Sequence, residues 1–106
     1  MMEQTGKSAT GTVMQIVRLK TSLSNDEAIR RARERAPQFE ALPGLIQKYY
    51  AKLGPEGEYA GIYIWDSAES LKAFRESELA ATIPQAYDVI GAPAVEIADI
   101  VFQLRE

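Results

Sequence analysis

The stretch at residues 59–66, Tyr-Ala-Gly-Ile-Tyr-Ile-Trp-Asp, constrains this chain more than any other. Its side chains fall into two alternating sets. Ala60, Ile62 and Ile64 form one, and Tyr59, Gly61, Tyr63 and Trp65 form the other. A period of two belongs to an extended strand, whose successive side chains leave opposite faces of a sheet. The aliphatic set suits a face covered by helices. The aromatic set, arranged about a bare glycine, suits a cavity wall or an interface.

The remaining segments supply partners for such a strand. Residues 1–11 are rich in Gly, Ser, Thr and charge and read as a loose tail, which leaves 12–106 as one domain. Residues 12–20 read as a first strand, with Gln15 as a polar residue among apolar neighbours. Gln15 faces either a ligand or solvent. Ser24 with Glu27 makes a capping box, and Ala28, Ile29, Ala32, Ala36 and Phe39 give the apolar stripe of the helix that follows. Arg30, Arg31, Arg33 and Arg35 lie mostly off that stripe, interleaved with Glu27 and Glu34, as on a solvated helix face. Pro37 is expected to end or restart the helix.

Pro43-Gly44 opens a second strand, Leu45–Lys52, and residues 54–57 (Gly-Pro-Glu-Gly) return the chain antiparallel into residues 59–66. The loop leaves the register open by one residue, so either Tyr49 or Tyr50 shares a face with Tyr63. Asp66 or Ser67 caps a second helix, which packs Ala68, Leu71 and Phe74 on the sheet. A short helical piece at 78–82 turns Leu79 inward, Pro84 interrupts it, and Tyr87 follows in a loop. The last strand spans 95–104.

The order strand, helix, strand, strand, helix, strand is the ferredoxin-like βαββαβ arrangement of the α+β class, an antiparallel sheet with both helices on one face. Its other sheet face is bare. On this reading the bare face carries Tyr59, Tyr63 and Trp65, and an apolar surface of that size calls for a second copy of the chain, a homodimer. At 106 residues the chain is short enough to gain from such a partner.

Composition narrows the function. The net charge is −3, which disfavours nucleic acid as a partner. The chain holds no cysteine, so there is no thiolate chemistry, and no histidine, the commonest metal ligand and general base. No apolar run suits a membrane span, and the start lacks the apolar core of a signal peptide, so a cytoplasmic protein is the default expectation. There is no Gly-rich phosphate loop, no paired-carboxylate signature and no metal-ligand cluster. A small hydrophobic ligand, with no cofactor, is the expected partner.

Residues 43–74 resemble the YdhR-type monooxygenases of the dimeric α/β-barrel superfamily, relatives of the antibiotic-biosynthesis monooxygenases. The resemblance lies in Pro43-Gly44-Leu45-Ile46, Lys48 and Tyr50, then Gly61-Ile62-Tyr63 and Trp65, then Asp66 and the helix start at 68–74. It implies two ferredoxin-like subunits with sheets face to face, each with a small pocket between sheet and helices. Such relatives oxidise aromatic polyketides without metal or flavin, degrade haem, or isomerise lactones. Several use a histidine, which this chain lacks, so no histidine-dependent step carries over. Trp65 resembles a pocket tryptophan of some of these enzymes.

The candidate catalytic residues are therefore Lys48, Tyr63 and Trp65. Lys48 can attract an enolate or phenolate oxygen, or form a salt bridge at a sheet edge. Tyr63 can donate its phenol to a ligand, or bond the backbone. Trp65 can stack on a planar ligand, or fill an interface core. Gln15, Tyr50, Gly61 and Tyr87 join Tyr63 and Trp65 as candidate substrate-binding residues. Arg18 and Asp99 are weaker candidates, since charges near strand ends usually face water.

Overall fold

The computed structural model describes residues 11–105, so residues 1–10 of the expected tail lie outside the described residues. The elements run β1 (Val13–Lys20), α1 (Asn25–Glu40), β2 (Leu45–Lys52), β3 (Glu58–Trp65), α2 (Ala68–Arg75), α3 (Glu78–Ala81), α4 (Ile83–Ala86) and β4 (Ala94–Asp99). The four strands form one antiparallel sheet in the order β2-β3-β1-β4. This is the expected ferredoxin-like α+β arrangement. The Gly-rich β2–β3 loop closes with Leu53 N donating to Glu58 O at 2.9 Å, and Gly57 adopts φ +82 there. A Cβ on Gly57 would stand 2.8 Å from the Thr21 carbonyl oxygen, so the position needs glycine twice over.

One expectation is reversed. The helices cover the aromatic face of β3, not the aliphatic one. Phe39 of α1 and Phe74 of α2 both pack on the Tyr63 ring, with centroids 6.2 and 5.3 Å away. Tyr63 and Trp65 are 2% and 0% exposed, the most deeply buried large side chains of the core. The physical reason is area. Aromatic side chains remove more apolar surface from water than alanine and isoleucine, so they take the side where Phe39 and Phe74 await them. The dimer expected through Tyr59, Tyr63 and Trp65 is thereby overturned as an interface through that face. The face away from the helices carries Met14 and Ile16, then Ile62 and Ile64, then Tyr49, which pairs with Ile62.

The helices follow their local signals with three corrections. Ser24 caps α1 and accepts from Glu27 N at 3.2 Å, as the capping box requires. Pro37 does not end α1, which runs on to Glu40. Pro37 costs the helix one N–H near its end, and the ladder resumes with Ala41 N donating to Pro37 O at 3.2 Å. Pro84 likewise starts α4 in its first turn instead of breaking a helix, a position where a missing N–H costs nothing. Ser67 rather than Asp66 caps α2, accepting from Ser70 N at 3.1 Å. Leu71 and Phe74 are buried under α2 while Ala68 is exposed.

The last strand is shorter than expected, ending at Asp99 and not at Leu104. Its partner β1 begins at Val13, which pairs with Asp99. Beyond that point one backbone bond remains, Ile100 N to Thr12 O at 2.9 Å. Val101, Phe102 and Leu104 are consequently 92%, 77% and 83% exposed. Gly11, reckoned part of the tail, is buried, its N–H donating to Gln103 Oε1 at 2.6 Å.

Candidate functional site

A cavity of about 220 Å³ lies between α1 and the sheet. It exists because α1 faces the sheet there with Ala28 and Ala32, whose methyl groups cannot reach across the gap. Farther along, the larger Phe39 closes the space by packing on Tyr63. Gly61 and Tyr63 of β3 form part of the floor. A Cβ on Gly61 would stand 3.1 Å from Tyr63 Cε1 and 3.5 Å from Lys48 Cε, so the bare glycine lets the Tyr63 ring and the Lys48 chain lie over the strand. At the α1 entry, Tyr59 donates its hydroxyl to Asn25 Oδ1 at 2.8 Å. Tyr87 is held by its carbonyl, which accepts from Thr21 Oγ1.

The ammonium of Lys48 sits among three rings, 3.5 Å from the centroid of Phe39, 4.3 Å from Tyr50 and 4.5 Å from Tyr63. Each ring offers its negative face to the cation. Burial, and after it the positive charge of Arg35, nevertheless lowers the Lys48 pKa to about 7. Tyr50 is pushed up to about 12, chiefly by burial. Burial raises Tyr63 and Tyr87 as well, so these phenols stay protonated as donors at neutral pH. The cavity therefore pairs an amine that titrates near neutrality with phenols that do not. A group of this kind can take a proton from a ligand and then hold the anion it has made.

Behind the wall stands Arg35, with its guanidinium carbon 5.8 Å from the Phe39 centroid and 5.9 Å from that of Tyr87. Its Nη2 donates to Leu79 O and to Thr82 Oγ1, each at 3.3 Å. Its Nε is buried without a hydrogen-bond partner. Arg31 turns the same way, donating to Ala86 O at 3.0 Å. The expected lacing of opposite charges thus holds for Arg30, which pairs with Glu27 and Glu34 at 2.7 and 3.4 Å, and for Arg31, which pairs with Glu27 at 2.8 Å, and is corrected for Arg35. The two inward arginines tie α1 to the α3–α4 segment and so frame the cavity.

The candidates divide in two. Lys48, Tyr50, Gly61, Tyr63 and Tyr87 all line the cavity. The register settles the strand-two alternative, because Tyr50 pairs with Gly61 and Lys48 with Tyr63, which puts Tyr50 and not Tyr49 on the Tyr63 face. A register shift between Leu45 and Gln47 absorbs the extra residue. Trp65 and Gln15 lie apart from the cavity. Trp65 is fully buried, stacked on Tyr63 at 6.0 Å and 3°, and its indole N–H donates to Gln15 Oε1 at 3.1 Å. Gln15 thus faces neither solvent nor the cavity but satisfies a core tryptophan, and it borders a second recess of about 170 Å³ beneath Phe74 and Ile83. Arg18 makes an exposed pair with Glu96 at 3.1 Å. Sequence reasoning missed Arg35, whose one signal is its four-residue spacing from Phe39 on α1.

Among the described residues no group of three or more His, Cys, Asp or Glu could hold a metal ion. No helix among them is long and apolar enough to cross a membrane.

Comparison with solved structures bears on the fold. SnoaB, a cofactor-independent oxygenase from Streptomyces nogalater, is similar with a TM-score of 0.71 at 13% identity, over 91% of this chain and 99% of that one. The fold is that of the antibiotic-biosynthesis monooxygenases. A monooxygenase from Streptomyces coelicolor, in complex with nanaomycin D, superposes with a TM-score of 0.67 at 11% identity, covering 85% of this chain and 88% of that one. The haem degrader MhuD from Mycobacterium tuberculosis does so at 0.69 and 20% identity, covering 87% and 98%. No family model matches the sequence, and no curated protein matches it significantly.

Proposed function

We propose that this chain is a cofactor-independent oxygenase of the YdhR type, acting on a small electron-rich aromatic. The observation that carries the reading is the Lys48 amine, held among Phe39, Tyr50 and Tyr63 at the wall of an apolar cavity. Similarity of fold to a cofactor-independent oxygenase supports it. A phenolic substrate would hand its proton to Lys48, and the ammonium so formed would stabilise the electron-rich anion. That anion is itself the reductant of oxygen. For a naphthol, one substrate and one dioxygen give one quinone and one water. The phenolic O–H and one ring C–H break, a second C=O forms, and all four electrons come from the substrate. The cavity, at about 220 Å³, falls below the roughly 300 Å³ at which drug-sized sites begin, which points to one or two rings.

The test is oxygen consumption. Small phenols and naphthols incubated aerobically with the protein should be oxidised with matching uptake of oxygen, and should be recovered unchanged without oxygen. A second reading, a binding protein without catalysis, is favoured by the absence of histidine from the chain. It predicts saturable binding of the same compounds with no oxygen uptake.

The active form is proposed to be a homodimer in which a second copy covers the aliphatic sheet face. The face of Met14, Ile16, Ile62, Ile64 and Tyr49 is too apolar to stay in water, and Tyr49 is 55% exposed in the single chain. Sedimentation at micromolar concentration should give about twice 11.8 kDa. Ile62→Lys, at the centre of that face, should give the single mass with the fold retained. A wild-type monomer would refute the dimer.

A further inference from the structure

We propose that the cavity beneath α1 selects a small aromatic carboxylate, its ring system against the apolar walls and its negative charge against Lys48. The proposal rests on the oxygenase reading in taking the same cavity as the ligand site. The chain as a whole is acidic, at net charge −3, yet the charged side chains that line this cavity are Lys48 and Lys52. No acidic side chain among the described residues lines it, though the charge of Glu40 reaches Tyr50. Glu27 pairs with Arg30 and Arg31, Glu96 with Arg18, and Asp88 with Arg31. Among the described residues no carboxylate stands within ion-pair distance of Lys48, Lys52 or Arg35.

Lys48 and Arg35 both approach the Phe39 ring, at 3.5 and 5.8 Å. Two like charges gathered at a buried ring repel each other, and aromatic faces offset only part of that cost. Arg35 stands behind the wall and does not line the cavity, so its charge adds to that of Lys48 without meeting a ligand there. An anion in the cavity supplies what is missing. A single negative charge matches the one amine held among the rings, Lys48. Carboxylate on a planar body of one or two rings fits both the charge and the space.

The experiment is calorimetric titration of the whole protein with 2-naphthoate and with its neutral isostere 2-naphthamide. Naphthoate should bind at least about tenfold tighter, a difference of about 1.4 kcal/mol. Its binding should also take up protons at pH 7.5, seen as a binding heat that varies with the ionisation enthalpy of the buffer, because the anion favours the charged form of Lys48. The amide should show no such variation. Lys48→Met should bring the two affinities within about twofold of each other, and Arg35→Lys should preserve the preference. Equal or tighter binding of the amide by wild-type protein would overturn the carboxylate and leave the oxygenase reading to the oxygen test on neutral phenols. Binding of neither compound would overturn the proposal together with the cavity as a ligand site. Charge discrimination without any oxygen uptake would keep the carboxylate and remove the oxygenase.

Discussion

Replacing Trp65 by alanine is expected to remove most of the stability of this protein. The side chain is fully buried, stacked on Tyr63 and 5.4 Å from Phe74, so its loss opens a cavity at the centre of the core. Truncations of this kind cost about 3–5 kcal/mol, against a total of about 5–15 kcal/mol for an ordinary domain. The change also strands Gln15 Oε1, which accepts the indole N–H at 3.1 Å and is buried with it. An unpaired buried acceptor costs a further 1–3 kcal/mol or so, whereas replacing both partners with apolar groups can be nearly neutral. Trp65→Phe should therefore lose more than its volume explains, and Gln15→Leu in that background should recover part of the loss. Urea unfolding of the three variants checks this. A loss below about 1 kcal/mol for Trp65→Ala would mean that the indole is not a core element.

Trp65 also shows how far the sequence was legible. The period of two in residues 59–66 separates the faces of β3 without ambiguity, but an alternation carries no sign. Which set turns inward depends on Phe39 and Phe74, residues far away along the chain that meet Tyr63 only in the folded state. The element order is local information, held in Ser24, Ser67, Pro43-Gly44 and the Gly-rich loop at 54–57, and so the fold could be read. Tyr50 could not be told from Tyr49, because a register shift between Leu45 and Gln47 leaves no mark in a strand of mixed apolar and polar residues. Lys48 could be picked out as a candidate, yet its setting could not, since the rings around its ammonium come from α1, β2 and β3 together. Arg35 looked like one more charge on a helix whose arginines alternate with acids. Its inward turn follows from the donors it shares with Leu79 and Thr82, more than forty positions along the chain.

Lys48→Met should cut the oxygenation rate by about 10²–10⁴-fold while making the protein more stable near neutral pH. Methionine keeps most of the length and the apolar stem, so the rings of Phe39, Tyr50 and Tyr63 retain a neighbour. What it lacks is the amine. Loss of a positioned general base lowers a rate by about 10²–10⁴-fold. In the wild type the rate should rise with pH and level off above about pH 7, as the Lys48 amine loses its own proton and becomes able to accept one. The variant should show a residual rate without that inflection. Stability runs the other way. The Lys48 pKa is about 7 when folded and 10.5 in its ordinary state, so between these values the unfolded chain binds more protons and wild-type stability rises with pH. Below about pH 7 both states carry the charge and the burial penalty is fully present. One pKa unit corresponds to about 1.4 kcal/mol, and attraction to three rings returns part of it. A net gain on the order of 1–2 kcal/mol for the variant at pH 6–7 follows, which for a chain of this size is about 4–8 °C in Tm per kcal/mol. That gain should shrink steadily toward pH 10. Thermal melts of both proteins across this range, beside oxygen uptake at each pH, test both halves together. A variant that is slowed but less stable at pH 6 would assign Lys48 to the core, and one that keeps its rate would remove it from the chemistry. The expected pairing, more stable and slower, would mean that an amine which is costly to bury is kept for what it does to a ligand.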